Sequence, residues 1–139
     1  MNFPILSSII FLPLLGAIFI FLSKSQKNNR NFIYVALFTS IANFLLVLFL
    51  WFYFDQNLNG FQFIEEKNWI SGLIKFKLGI DGISILFIAL TAFITPICVL
   101  SCINSVKYRI KEFLIAILVL ETFMIGVFCS LDLIIFYLF

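Results

Sequence analysis

Long apolar runs and short polar links alternate along this chain. The runs are apolar on all sides rather than along one stripe, the pattern of helices surrounded by hydrocarbon. Residues 3–22 and 32–54 hold no charged side chain, residues 80–103 hold only Asp81, and residues 113–139 hold only Glu121 and Asp132. A helix crosses a hydrocarbon core of about 30 Å with about 20 residues, so each of the first three runs predicts one span. The last run would be about 40 Å long as a single helix, more than the core requires. Ser130 and Asp132 are good N-cap residues and divide it into a fourth span, 113–130, and the start of a fifth, 131–139. The predicted fold is all-α, a polytopic transmembrane helix bundle of four spans plus a partial fifth.

The links set an orientation. Residues 23–31 carry Lys24, Lys27 and Arg30 without an acid; residues 104–112 carry Lys107, Arg109 and Lys111 against Glu112. Two spans separate these links, so both lie on one face, which the positive-inside rule assigns to the cytoplasm or the mitochondrial matrix. The N-terminus and the loop 55–79 then lie on the outer face. That loop is of mixed charge and contains Phe61, Phe63 and Trp69, so it is expected to rest on the membrane surface. Residues 74–78 alternate apolar and basic, the pattern of a short strand. Trp51 and Tyr53 end the second span where aromatic belts lie. The first span does not read as a signal peptide, because Met1-Asn2-Phe3-Pro4 supplies no basic side chain.

Composition narrows the chemistry. The 139 residues are 63% hydrophobic and 12% charged, against about 25% charged in soluble domains. With a mean hydropathy of +1.17, this is an integral membrane protein. A net charge of +2 without a basic tract does not suit nucleic acid. There is no His, the six Gly are scattered, and no nucleophile–base pair, phosphate loop or metal-ligand set can be assembled. Cys98, Cys102 and Cys129 lie in apolar segments and read as small apolar side chains rather than a disulfide framework or a zinc site. Abundant Phe, Ile, Asn and Lys fit the AT-rich codons of a mitochondrial or endosymbiont genome.

What remains is the polar content of the spans. Pro13, followed by Gly16, predicts a kink in the first. Asn43 suits an interhelical hydrogen bond worth about 0.6–2 kcal/mol. Asp81 can cap the third span. Asp81, Ser84, Thr91, Thr95, Cys98 and Cys102 follow at spacings of three and four, interrupted at Ile88, and predict a stripe that packs against protein. Pro96 lies within this span, where Thr91 or Thr95 could bond the carbonyls it frees. Glu121 is the one deep ionisable group. A charge at that depth costs about 2.5–3.5 kcal/mol on insertion scales, so Glu121 is expected to face another helix or buried water and to be at least partly protonated. Two roles fit it, a cross-helix structural bond or a proton relay. No Lys or Arg lies within a span, so the other member of a relay would come from elsewhere.

Three motifs carry a family resemblance. They are Leu78-Gly79-Ile80-Asp81-Gly82-Ile83-Ser84, then Thr95-Pro96-Ile97-Cys98, then Val127-Phe128-Cys129-Ser130-Leu131-Asp132-Leu133-Ile134-Ile135-Phe136-Tyr137-Leu138-Phe139. In this order, with the opening Phe11-Leu-Pro-Leu-Leu-Gly-Ala17, they resemble the antiporter-like membrane subunits of respiratory complex I, in particular subunit 4 of the mitochondrial enzyme, called chain M in bacteria. The resemblance implies the N-terminal part of an antiporter-like fold of about fourteen helices. It implies membership of the proton-pumping membrane arm of an NADH:ubiquinone oxidoreductase, part of the respiratory chain in the mitochondrial inner membrane or a bacterial plasma membrane. NADH, FMN, iron–sulfur clusters and ubiquinone would act elsewhere in that complex, and this chain would bind no cofactor or metal. The implied partners are other membrane-arm subunits, the lipid bilayer, and a continuation or companion chain after Phe139. In the family a Glu central to pumping follows the final motif at once, so no core pump residue can be carried onto this sequence. Catalytic residues are thus not expected here. Glu121 stands as the proton-path candidate, with Asp81, Pro96 and Asp132 as structural residues, and the chain alone is expected not to translocate protons. A related cation/proton antiporter or membrane-bound hydrogenase subunit, or a purely structural membrane subunit, are the alternatives.

Overall fold

Apolar runs without a polar face can satisfy their backbone groups in lipid only by forming helices, and each run does. The computed structural model describes residues 4–24, 29–70 and 74–139. Along the chain come α1 (Ile5–Leu22), α2 (Asn29–Tyr53), β1 (Gln62–Ile70), β2 (Ile74–Ile80), α3 (Gly82–Ser105), α4 (Ile110–Cys129) and α5 (Leu133–Leu138). Among the described residues, α1 to α4 are the four helices long and apolar enough to cross a membrane. They run alternately up and down. Each packs on its sequence neighbour, α4 closes the ring against α1, and α2 meets α4 across the short diagonal. Lys27 lies outside the described residues.

Pro13 and Pro96 lie inside the continuous helices α1 and α3, as the runs predict. Other details depart from expectation. The break in the last run comes at Cys129. Ser130 is the C-cap of α4 rather than an N-cap, and its hydroxyl donates back to the Val127 carbonyl. Asp132 caps α5, accepting from the Ile134 amide at 3.0 Å. The loop 55–79 holds the predicted strand, but paired into an antiparallel hairpin with β1, which periodicity did not suggest. β1 contains Glu65-Glu66-Lys67-Asn68, too polar to alternate like a half-buried strand.

The hairpin is fastened to the bundle by buried side chains and by charge. Leu78 and Ile80 are fully buried and join α1, α2, α3 and α4 in one apolar cluster. The Leu131 amide donates to the Lys77 carbonyl at 3.1 Å, tying β2 to the turn between α4 and α5. Phe63 has a left-handed backbone, φ 54°, at a register shift in β1 between Gln62 and Glu65. Such a bulge re-aims the side chains that follow it. Here the Glu65 carboxylate reaches α1, accepting from the Leu6 amide at 2.7 Å, the Ser7 amide at 3.2 Å and the Ser7 hydroxyl. The helix's own N-cap, Pro4, has no side-chain acceptor. An acid 58 residues away in sequence therefore satisfies amides that the helix leaves open and sits at its positive end.

The opposite end of α1 is held in the same manner with the sign reversed. Lys111, in the first turn of α4, donates to the carbonyls of Phe21 at 2.9 Å and Ser23 at 2.8 Å. Its ammonium also lies 5.6 Å from the Phe32 ring centroid. The first transmembrane helix is thus pinned at both ends by side chains from other elements.

Glu65→Ala should cost about 1–2 kcal/mol at the α1 terminus, because both the acceptor and the charge are lost. Hydrogen exchange of the peptide containing Leu6 and Ser7 should quicken, and that of the hairpin with it. Glu65→Gln, which keeps an acceptor, should lie between. Unchanged exchange in the alanine variant would show that the contact does not hold the helix.

Acid should loosen the hairpin itself. The Lys77 ammonium, 2.7 Å from Glu66, bonds to it and holds its carboxyl below the usual range. A lowered carboxylate pKa contributes stability that is present above the unfolded value and lost as pH falls through the folded one. Exchange within residues 62–80 should therefore quicken on acidification below the ordinary glutamate range, and Glu66→Gln should flatten that dependence. The pair is exposed to solvent and salt, so the effect should be small.

Candidate functional site

The interior has two apolar layers. Toward the hairpin lie Leu6, Ile9, Ile10, Val47, Leu50, Ile88 and Ile125; toward the basic end lie Ala17, Ile20, Ala36, Val99, Leu114 and Leu118. Between them, at mid-helix on α2, α3 and α4, come Ser40, Asn43, Thr95, Glu121 and Thr122. These are the buried polar side chains among the described residues. α1 contributes Pro13 and Gly16 at this level, both buried. The Gly16 backbone lies so near α2 that a Cβ there would stand 2.7 Å from Thr39 Cγ2.

Three members of this layer are satisfied within their own helices. Ser40 donates to the Leu37 carbonyl, Thr95 to Thr91 and Thr122 to Leu118. Asn43 and Glu121 instead bond to each other across the diagonal. Asn43 Nδ2 donates to Glu121 Oε1 at 2.9 Å, and both residues are fully buried. α4 is about 30 Å long and Glu121 lies about 17 Å along it, near the depth where a charge is most costly. Asn43 Oδ1 and Glu121 Oε2 are buried without a partner. The site thus holds one titratable group, one amide that orients it, and two free oxygens. It can hold a proton; it has no nucleophile–base arrangement, and no metal-binding cluster occurs among the described residues.

The sequence marks both residues, but separately; it gives no reason to join positions 78 apart. The other marked residues lie away from the pair. Asp81 caps α3, accepting from the Ser84 amide at 2.7 Å. Asp132 is at the α5 turn. Pro96 follows Thr95 but is only half-buried. The expected stripe on α3 is rotated. The face buried in the bundle is Ile85, Ile88, Ala92, Thr95, Val99 and Cys102, while Cys98 is exposed and Thr91 stands at the edge. The buried face mixes Ile with small side chains, and most of the larger apolar residues of α3, among them Leu86, Leu90, Phe93 and Ile97, lie on its outer face. Thr91 returns its hydroxyl to the Phe87 carbonyl and needs no neighbour. Glu65 and Lys111 escaped sequence reading as helix clamps, since neither lies near α1 in the chain.

No family model matches the chain. Similarity to curated proteins extends along its whole length. It is 40% identical over 144 residues to NADH-quinone oxidoreductase subunit M of Rickettsia bellii (strain RML369-C), covering 100% of this chain and 29% of that protein. It is 46% identical over 138 residues to the subunit M of Rhodobacter capsulatus, covering 97% of this chain and 27% of that protein. It is 45% identical over 135 residues to NADH-ubiquinone oxidoreductase chain 4 of Marchantia polymorpha, covering 96% and 27% respectively. The chain therefore spans less than a third of the length of the relatives it matches, and the resemblance drawn from its motifs holds.

Removing either partner should leave the other unsatisfied in the core. Asn43→Leu and Glu121→Leu are each expected to destabilise the bundle by about 1–3 kcal/mol. The double variant should cost clearly less than the sum, since it removes both polar groups. Thermal unfolding in detergent measures the cycle, and additive penalties would deny the coupling.

Proposed function

We propose that this chain, a homologue of complex I subunit M and chain 4 along its length, works as part of a membrane-arm subunit of a proton-translocating NADH:quinone oxidoreductase. The observation that carries the reading is identity of 40–46% over nearly all the chain to proteins so named. A protonatable side chain at mid-membrane depth fits the activity. In this reading Glu121 lies on or beside a proton path, while Asp81, Asp132 and Pro96 are structural residues of α3 and α5 away from it. The redox steps belong to other subunits, which would hold FMN and iron–sulfur clusters and deliver electrons from NADH to ubiquinone.

The partners are then the neighbouring membrane-arm subunits, together with further polypeptide of the same subunit, joined covalently or encoded separately. The greater length of the relatives supports that last partner. The membrane would be the mitochondrial inner membrane or, in a bacterium, the plasma membrane. Lys24, Arg30, Lys107, Arg109 and Lys111 gather at the end opposite the hairpin, which favours the matrix or cytoplasm for that end and the outer face for the N-terminus.

Purification through a tag on this chain from its native membranes should bring down NADH:quinone reductase activity; its absence would overturn the assignment. In the purified assembly, Glu121→Gln should lower the protons moved per NADH oxidised while leaving the bundle intact. An unchanged ratio would reduce Glu121 to a structural residue. A cysteine placed at Tyr108 should react with impermeant reagents only from the matrix or cytoplasmic side, and labelling from the outer side would reverse the orientation.

A further inference from the structure

The single bond between Asn43 and Glu121 distinguishes the two carboxyl oxygens. Oε1 accepts an N–H at 2.9 Å. In a neutral acid the accepting oxygen is the carbonyl oxygen and the proton is on the other, Oε2. Oε2 is buried without a partner, and so is Asn43 Oδ1. These two vacancies are complementary: a protonated Oε2 needs an acceptor, and Oδ1 needs a donor. The terminal torsions of both side chains are broad, so a modest rotation can turn one bond into two.

The surroundings offer no other means of balancing a charge. α1 and α3 carry no charged residue. On α2 the one cation is Arg30, in its first turn, and on α4 Lys111 and Glu112 lie in the first turn, with Lys111 about 15 Å from Glu121 along the helix. Glu65, Glu66, Lys67, Lys75 and Lys77 belong to the hairpin at the other end, and Asp132 precedes α5 there. The thiols of Cys102 and Cys129 lie in the apolar layers on either side. An ionised Glu121 would accept one amide N–H beside an amide oxygen that repels it, in a layer whose other polar groups, the hydroxyls of Ser40, Thr95 and Thr122, already donate within their own helices.

We propose that Asn43 is a positioning residue that holds Glu121 as a neutral acid, its proton on Oε2 and directed at Asn43 Oδ1, in a two-bond acid–amide pair joining α2 to α4. Oε2 is then the atom at which Glu121 gains and loses its proton, and Asn43 fixes where that atom points. The pair's protonation does not depend on which assembly houses the chain; only its use in translocation rests on the function proposed above. A spectroscopic test therefore separates the two.

Infrared spectra of the chain in its native assembly, taken in H2O and D2O near neutral pH, should contain a protonated-carboxyl C=O band. That band should shift on deuteration and vanish in Glu121→Gln. In Asn43→Leu it should move to higher frequency, as the carbonyl loses its hydrogen bond. The reversed pair, Asn43→Asp with Glu121→Gln, should restore a hydrogen-bonded acid band with the acid now on α2. This variant decides the matter if Asn43→Leu does not assemble. A wild-type spectrum without a band assignable to Glu121 overturns the proposal. So does a band that ignores Asn43→Leu, or a reversed pair without a protonated acid. Proton-pumping measurements bear on the proposed function alone, so either idea can fail while the other stands.

Discussion

An acid buried at mid-membrane depth can be kept only if a neighbouring helix brings a polar group to it. Here α2 brings Asn43 to Glu121 on α4. Because the partners stand on diagonal helices, their bond constrains the ring as a whole. α2 and α4 must approach, at that depth and with those faces inward, and α1 and α3 fill the flanks. The hydrocarbon layers above and below are permissive, since Leu, Ile and Val can slide past one another at little cost. The polar layer is not, because a shift along either helix would separate one donor from one acceptor with no water to replace them.

Charge is used differently at the membrane faces. Glu65 meets the amide end of α1 and Lys111 meets its carbonyl end. Both are opposite in sign to the end of the helix dipole they touch, and both reach it from other parts of the fold. α1 has no charge of its own with which to cap itself. The hairpin therefore does more than connect α2 to α3. By presenting Glu65 it anchors the first helix, and by burying Leu78 and Ile80 it closes the outer end of the core. At both ends α1 depends on chain that is made after it.

What the sequence discloses follows from the range of the physics involved. A helix in lipid is specified by its own residues, so the four long helices and the turn before α5 are legible from apolar run length and cap residues alone. The strand shows over 74–78 through its alternation, and the structure extends it to Ile80. Its partner does not show, because Glu65 and Glu66 are placed by what they bond to, not by burial. The stripe on α3 is only partly turned into this bundle, with Thr95 and Cys102 buried and Cys98 outward. Small polar residues permit close packing but do not compel it, and hydroxyls that bond back to their own helix have no need of a neighbour. The candidate site was half legible. Depth alone marks Glu121, and polarity in an apolar run marks Asn43, yet their pairing requires knowing that α2 and α4 are the close diagonal.

Stability gives no reason to retain such a pair. Two polar groups buried together recover in their mutual bond roughly what they lose in desolvation, and well-packed apolar side chains of similar size often do as well or better. The two unpartnered oxygens make the balance worse, since each remains desolvated without recompense. With one oxygen of Glu121 tied to Asn43 and the other unpartnered, the arrangement stands one bond short of the acid–amide pair proposed above, and closing that second bond would offset the desolvation of both oxygens.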